Sequence, residues 1–179
     1  MTDGRKLRLL FQTTINSVRQ KVQGIYKQAC ARAGVEMELK AVTPAVFFSS
    51  DVANPDTYGK FWADLEMYTP TRDIDPDRFM QQFVSWEASS KANKWLGQNR
   101  ARWANEAYDG LFRASEAELD PVKRTALFIR MNDLVCSESH VLPVVVRSRV
   151  TALSSNLAAP LSGWDLDFAA LHDWHRARA

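Results

Sequence analysis

Between Lys6 and Val42 the chain changes period twice, and this restricts the fold more than any other feature of the sequence. KLRLLFQTT alternates weakly and ends in polar residues, as a strand does on leaving a sheet. Asn16 or Ser17 then offers a side-chain oxygen to the free N–H groups of a helix start. Val18, Val22, Ile25, Tyr26, Ala29 and Ala33 follow at helical spacing, and Gly34 stands where a Cβ is costly at a helix end. VEMELKAV returns to period two, with Val35, Met37 and Leu39 on one side. A strand, a long crossover helix and a second strand make a βαβ unit, whose strands run parallel. The expectation is an α/β fold with a mixed, partly parallel sheet flanked by helices.

Downstream, Thr43 and Pro44 open a short helical piece that runs through Phe48, and Asn54-Pro55-Asp56 marks a loop. FWADLEMYT reads as a third strand with Trp62 in the core. It ends in Tyr68 and Thr69, just before the polar segment PTRDIDPD. Ligand sites of open α/β sheets lie beyond strand ends, which makes this junction the place to look for one. A helix is expected over 77–86, then a long polar loop, EASSKANKWLGQNRARW. Asn105 caps a helix with Tyr108, Leu111, Phe112 and Ala117 on one face. Asp120-Pro121 starts another, carrying Val122, Leu127, Met131, Leu134 and Val135. LPVVV and RSRVTALSSNL read as strands, and a short helix is expected over 166–174.

A chain of 179 residues, 46% of them hydrophobic, can bury one ordinary core, so one domain is expected. The net charge of +2 is too small for a nucleic-acid surface. No run reaches the length of a membrane span, and TDGRKLRLLF after Met1 lacks the small-residue cleavage site of a secretory signal. Cys30 and Cys136 fall on predicted helices, as two buried thiols or as a disulfide.

Asp73, Asp75 and Asp77 alternate like the first ligands of a calcium loop, but Arg78 replaces its glycine and Val84 its closing glutamate. They read instead as a solvated loop with Asp77 capping a helix, or as an anchor for a ligand cation. His172 and His175 lack a third ligand, and Ser137, Ser139 and His140 are neighbours in sequence only. His140 is expected to cap or to be buried and hydrogen-bonded. No nucleophile elbow, Walker loop or Cys-x-x-Cys is present, so neither metal, cofactor nor catalysis is expected. Trp95 and Trp103 lie in or beside the polar loop, where an aromatic ring either packs or gives a ligand a flat surface; Arg102 either pairs with a carboxylate there or faces solvent.

The stretch 105–146 carries Asn-x-x-Tyr-Asp-x-Leu (Asn105, Tyr108, Asp109, Leu111), then Asp-Pro-x-x-Arg-x-x-Leu-Phe (Asp120, Pro121, Arg124, Leu127, Phe128). Met131-Asn132-Asp133-Leu134 and Leu142-Pro143 close it. As an ordered set this resembles the C-terminal lobe of the family-5 extracellular solute-binding proteins, which deliver peptides and related solutes to ABC importers. LLFQTTINSVRQ, FFSSDVANPDTYGKFWADLEMYT and NRARWANEAYD extend the likeness over nearly the whole chain. It implies a type II periplasmic-binding-protein-like lobe over residues 1–179, with 144–179 supplying the crossover strand and tail that meet an N-terminal lobe. It implies a periplasmic or extracellular parent, an ABC permease as partner, and a peptide or oligosaccharide as solute. In the peptide-binding members an aspartate about four residues before the turn proline grips the peptide amine. Here Arg72 stands at that spacing from Pro76, with Asp73 beside it. The candidate site residues are Tyr68 at the strand end, Arg72 and Asp73 at this turn, and Trp103 beside the polar loop. The rival readings are a stand-alone α/β enzyme and a domain that self-associates through exposed strand edges.

Overall fold

The computed structural model describes residues 6–70, 75–146, 150–160 and 170–176. β1 (Arg8–Thr14) pairs in parallel with β2 (Glu36–Val42), from Arg8 opposite Glu36 to Thr14 opposite Val42, and α1 (Ser17–Arg32) connects them. Asn16 Oδ1 accepts the N–H groups of Val18 and Arg19, each at 3.1 Å, and Gly34 follows the helix at φ +80°. The helix does not bury the expected face. Val18 and Ile25 are 54% and 66% exposed, whereas Gln23 is buried and its amide donates to the carbonyls of Phe11 and Lys40. Two hydrogen bonds satisfy that amide, so a polar residue can occupy the inward position. Tyr26 meets Phe11 edge-on at 5.9 Å beside it.

β3 (Leu65–Met67) runs parallel to the other side of β1, giving the order β2-β1-β3. It is much shorter than the nine-residue reading, and Trp62 is 70% exposed rather than core. Phe61 has φ 45°, which interrupts an extended backbone, and Asp64 Oδ2 takes the Leu10 N–H at 2.7 Å. α2 (Pro44–Phe47) buries Phe47 against Tyr58 and Tyr68.

The expected helix over 77–86 is broken into α3 (Asp77–Met80) and two 3₁₀ turns, Gln81–Phe83 and Ser85–Glu87. Val84 is extended at the break, and the carboxylate of Asp109 accepts both the N–H and the hydroxyl of Ser85. Pro76 stands at the N-cap of α3 without a side-chain cap, Asp75 Oδ1 accepts the Asp77 N–H at 3.0 Å just before it, and Asp77, expected to cap, is itself the first helical residue. α4 (Glu106–Ala117) and α5 (Pro121–Ser137) form as expected, capped by Asn105 and Asp120. They close a core of Met80, Phe83, Val84, Tyr108, Phe112, Phe128, Met131 and Val135. Val122, expected on the buried face, is 77% exposed.

The polar loop before α4 is a loop, built around buried hydrogen bonds. Asn99 is fully buried and donates to the carbonyls of Val84 and Trp103, while the Ser89 hydroxyl donates to Gly59 O at 2.7 Å. At the far end, 142–146 is exposed and unpaired among the described residues, so LPVVV is not a strand here. β-Branched residues favour a strand only where a ladder partner exists. The strand expected within RSRVTALSSNL reduces to β4 (Leu157–Ala158), antiparallel to β5 (His175–Arg176); residues 147–149 lie outside the described residues. Of the helix expected over 166–174, only a 3₁₀ turn, Leu171–Asp173, is described. Cys30 and Cys136 are free thiols, the second exposed. Among the described residues no helix is long and apolar enough to cross a membrane, and no three His, Cys, Asp or Glu side chains gather as metal ligands would.

Candidate functional site

The strand order reverses between β1 and β3, and the carboxyl ends of such strands leave a crevice that loops can line. Thr13 and Thr14 end β1 fully buried. The Thr13 hydroxyl donates to Met67 O at 2.6 Å, tying β1 to the end of β3. Arg19, in the first turn of α1, donates to Thr14 Oγ1 at 2.6 Å and to Thr69 Oγ1 at 3.2 Å. A cation therefore spans the two strand ends at the mouth of the crevice.

Parallel pairing in register puts Lys40, Gln12 and Glu66 side by side on one face of the sheet. Lys40 pairs with Asp56, and the Gln12 amide donates to Asp56 O at 2.8 Å. Glu66 has no such support. Both its carboxylate oxygens are buried without a hydrogen-bond partner among the described residues. Burial pushes its carboxyl up to about 8, against the attraction of Arg100 and Arg102. Its proton is thus held at neutral pH.

Two residues along, Tyr68 lies against Phe47 at 6.4 Å and Tyr58 at 5.7 Å between ring centres. Burial raises its phenol above the ordinary value, while the charge of Arg100 and a side-chain hydrogen bond from it act the other way. Arg100 also stacks over the Tyr58 ring at 4.1 Å and donates to the Tyr58 hydroxyl at 2.9 Å. Tyr68 is therefore a half-buried member of an aromatic and cationic cluster at the end of β3.

Of the other expected site residues, Arg72 and Asp73 lie outside the described residues. Trp103 stacks on His140 at 5.2 Å, meets Tyr108 at 5.1 Å, and donates its indole N–H to Glu138 Oε2 at 2.8 Å. Its ring contacts belong to the α4–α5 body and its backbone pairs with Asn99, and it shares none of these with Tyr68. His140 is half-buried in this packing, and desolvation lowers its ring below the ordinary imidazole value. His172 and His175 fall in a turn and in β5, not on one helix face. Asp75 accepts from Arg124 at 2.8 Å, and this bond and the Asp77 N–H hold its carboxyl below the usual range. Arg102, whose pairing was open, donates to the carbonyls of Ser89 and Lys60.

Glu66 and Arg100 escaped the sequence reading. Alternation along DLEMYT puts Glu66 on the same face as Tyr68, which was the available signal. Arg100 reaches the cluster from 34 residues further on, a closure no local pattern announces.

The oligopeptide-binding protein OppA of Mycobacterium tuberculosis is 30% identical over 173 residues, covering 94% of this chain but only 27% of its own length. The family-5 resemblance is borne out: this chain is related to the peptide-type solute-binding proteins. Two solved structures share the fold. The oligopeptide-binding protein of Thermus thermophilus, complexed with a pentapeptide, superposes with a TM-score of 0.63 at 21% identity, over 74% of this chain and 23% of that one. The oligopeptide-binding protein AppA of Bacillus subtilis, in complex with a nonapeptide, gives 0.63 at 16% identity, over 98% of this chain and 33% of that one. The architecture is accordingly that of a type II solute-binding protein lobe. No family-level sequence model matches the chain. The chain spans about a quarter of the length of the curated relatives it matches.

Proposed function

We propose that this chain serves as one lobe, the C-terminal one, of an ABC importer's solute receptor and contributes half of an inter-lobe site for a peptide or similar solute. The observation that carries the reading is the match along 94% of this chain to a protein named for oligopeptide binding, joined to a strand order that reverses between β1 and β3, where open α/β sheets place their ligands. Tyr68 lines the half-site from the end of β3, Arg72 and Asp73 join it by the family pattern, and Trp103 is counted with them as an aromatic beside the polar loop. Arg72 in place of the amine-gripping aspartate points to an anionic group on the solute, or to Asp73 serving in its stead.

In this reading residues 1–179 form a single lobe, and 144–179 cross to the N-terminal lobe. The receptor works outside the cytoplasm and hands its solute to a permease. It binds and releases without chemistry: the solute bridges two surfaces and selects the closed arrangement. Isothermal calorimetry with a peptide series tests this. A two-lobed protein carrying this chain should bind a peptide tightly, and the chain by itself at least a hundredfold more weakly. Equal affinity in the two would refute the shared site.

A further inference from the structure

Glu66 and Arg100 carry complementary groups that do not meet. Both carboxyl oxygens of Glu66 and the Arg100 Nε–H are buried, and none of the three has a hydrogen-bond partner among the described residues. Buried polar atoms are nearly always paired, so orphaned acceptors and an orphaned donor in one cluster call for an explanation. The two side chains lie within electrostatic reach of each other, since the attraction of Arg100 opposes the effect of burial on Glu66.

Arg100 is engaged elsewhere. Its Nη1 donates to Gln98 O at 3.0 Å and its Nη2 to the Tyr58 hydroxyl at 2.9 Å, and a further side-chain bond reaches Tyr68. Its guanidinium carbon stands 4.1 Å from the centre of the Tyr58 ring. The backbone beneath it is fixed: the Asn99 N–H donates to Glu87 O at 3.0 Å, and the Ser89 N–H donates to Asn99 O at 2.9 Å. Any movement of the guanidinium therefore falls to the Arg100 side chain, which can step between staggered rotamers.

The other groups around Glu66 are already committed. From β1, Gln12 is uncharged and its amide donates to Asp56 O; from β2, Lys40 pairs with the Asp56 carboxylate. At the end of α1's first turn Arg19 bonds Thr14 and Thr69. From the loop before α4, Arg102 donates to the carbonyls of Ser89 and Lys60, and Lys60 itself turns to the Trp95 ring at 5.9 Å. Tyr68 keeps its phenolic proton, because burial raises it. An ionised carboxylate does not stay buried without a donor, and the Arg100 Nε–H is the donor left over. While burial holds the Glu66 proton, up to about pH 8, that demand does not arise.

We infer that Arg100 is exchanged between two partners by the protonation of Glu66: it lies on Tyr58 and Tyr68 while the carboxyl keeps its proton, and turns to pair with the carboxylate once that proton has passed to solvent. In turning it gives up the Tyr58 stack and the bond to Tyr68. The Tyr68 hydroxyl at the end of β3 is then free for another partner. The strand-end crevice thus has two arrangements, and pH selects between them. An ion pair favours the ionised form, so it can only lower the midpoint of the change. The device is built wholly from this chain and holds whatever the solute is.

The experiment is proton–carbon NMR of the full chain with labelled arginine, tyrosine and glutamate, from pH 5 to pH 9. At pH 5 the Arg100 Cδ protons should be shifted upfield by the Tyr58 ring and show nuclear Overhauser contacts to it. As pH rises, the upfield shift and these contacts should be lost together with the titration of the Glu66 carboxyl carbon, at a midpoint no higher than about 8. Glu66→Gln cannot ionise and should keep both up to pH 9. If that variant fails to fold, the parent alone decides the matter, because the carboxyl carbon and the Arg100–Tyr58 contacts are read in the same sample. A carboxylate acting only through its field would move resonances and leave the contacts in place, which would overturn the inference. So would contacts that persist at every pH in the parent, or that vanish in Glu66→Gln over the same range.

Discussion

Glu66 makes the stability of this fold depend on pH in a direction opposite to that of most carboxylates. In the unfolded chain its carboxyl titrates near 4.5, and in the folded chain near 8. Between those values the folded state keeps a proton that the unfolded state has released, so stability falls as pH rises. The loss runs at about 1.4 kcal/mol per pH unit. It approaches about 3 kcal/mol by pH 7 and at most about 5 kcal/mol above pH 8, of the same order as the whole stability of a small domain. Glu66→Gln has nearly the shape of the protonated acid and cannot ionise. Urea unfolding of both proteins at pH 5, 6, 7, 8 and 9 would give the difference directly. The variant should differ little at pH 5 and gain on the parent progressively up to pH 8, then hold level. A difference independent of pH across that range would refute the reasoning, because it would mean that Glu66 ionises in the folded state as it does in the unfolded one.

Gly97→Ala places a methyl 2.2 Å from Glu87 O and 2.8 Å from Ser89 N, and the resulting backbone shift should cost about 2 kcal/mol or more in a denaturation midpoint. Tyr108→Phe deletes the buried hydroxyl that donates to Met80 O at 2.7 Å, for a loss of about 1 kcal/mol in the same assay. Asp75 has a depressed carboxyl in the folded state, so its contribution is present at neutral pH and fades as pH falls below the usual carboxylate range. Because its side chain is 56% exposed, Asp75→Asn should remove no more than about 1 kcal/mol, with the difference vanishing in acid.

The elements set by local chemistry were legible in the sequence. Asn16, Asn105 and Asp120 cap the helices they were expected to cap, and period two in VEMELKAV marked β2. The misreadings share a cause, since each turned on a partner far away in the chain. Asp109 reaches across to Ser85 and interrupts the helix expected over 77–86. Asp64 takes the Leu10 N–H, and β3 begins only after it. LPVVV has the composition of a strand but no neighbour among the described residues to complete a ladder. In the same way Tyr68 could be placed by its position at a strand end, whereas the approach of Arg100 toward Glu66 behind it depends on tertiary closure. Trp103 lay in a loop by pattern, but its indole is committed to Glu138.

The buried apolar residues in and beside the sheet, Phe11, Met37, Phe47 and Ala63, do not belong to the cluster closed by α4 and α5. Between the two stands the loop of Ser89, Asn99 and Arg102, which joins them through bonds to the carbonyls of Gly59, Val84 and Lys60. Such an arrangement separates protection against amide exchange into two tiers, because a polar seam opens at lower free energy than an apolar core. The helical hairpin forms from neighbours in sequence, but β1 cannot meet β3 until a loop of some fifty residues has closed. During refolding, exchange should therefore slow first in α4 and α5 and last in β1 and β3, so the crevice at their carboxyl ends would be the final part of the molecule to take shape.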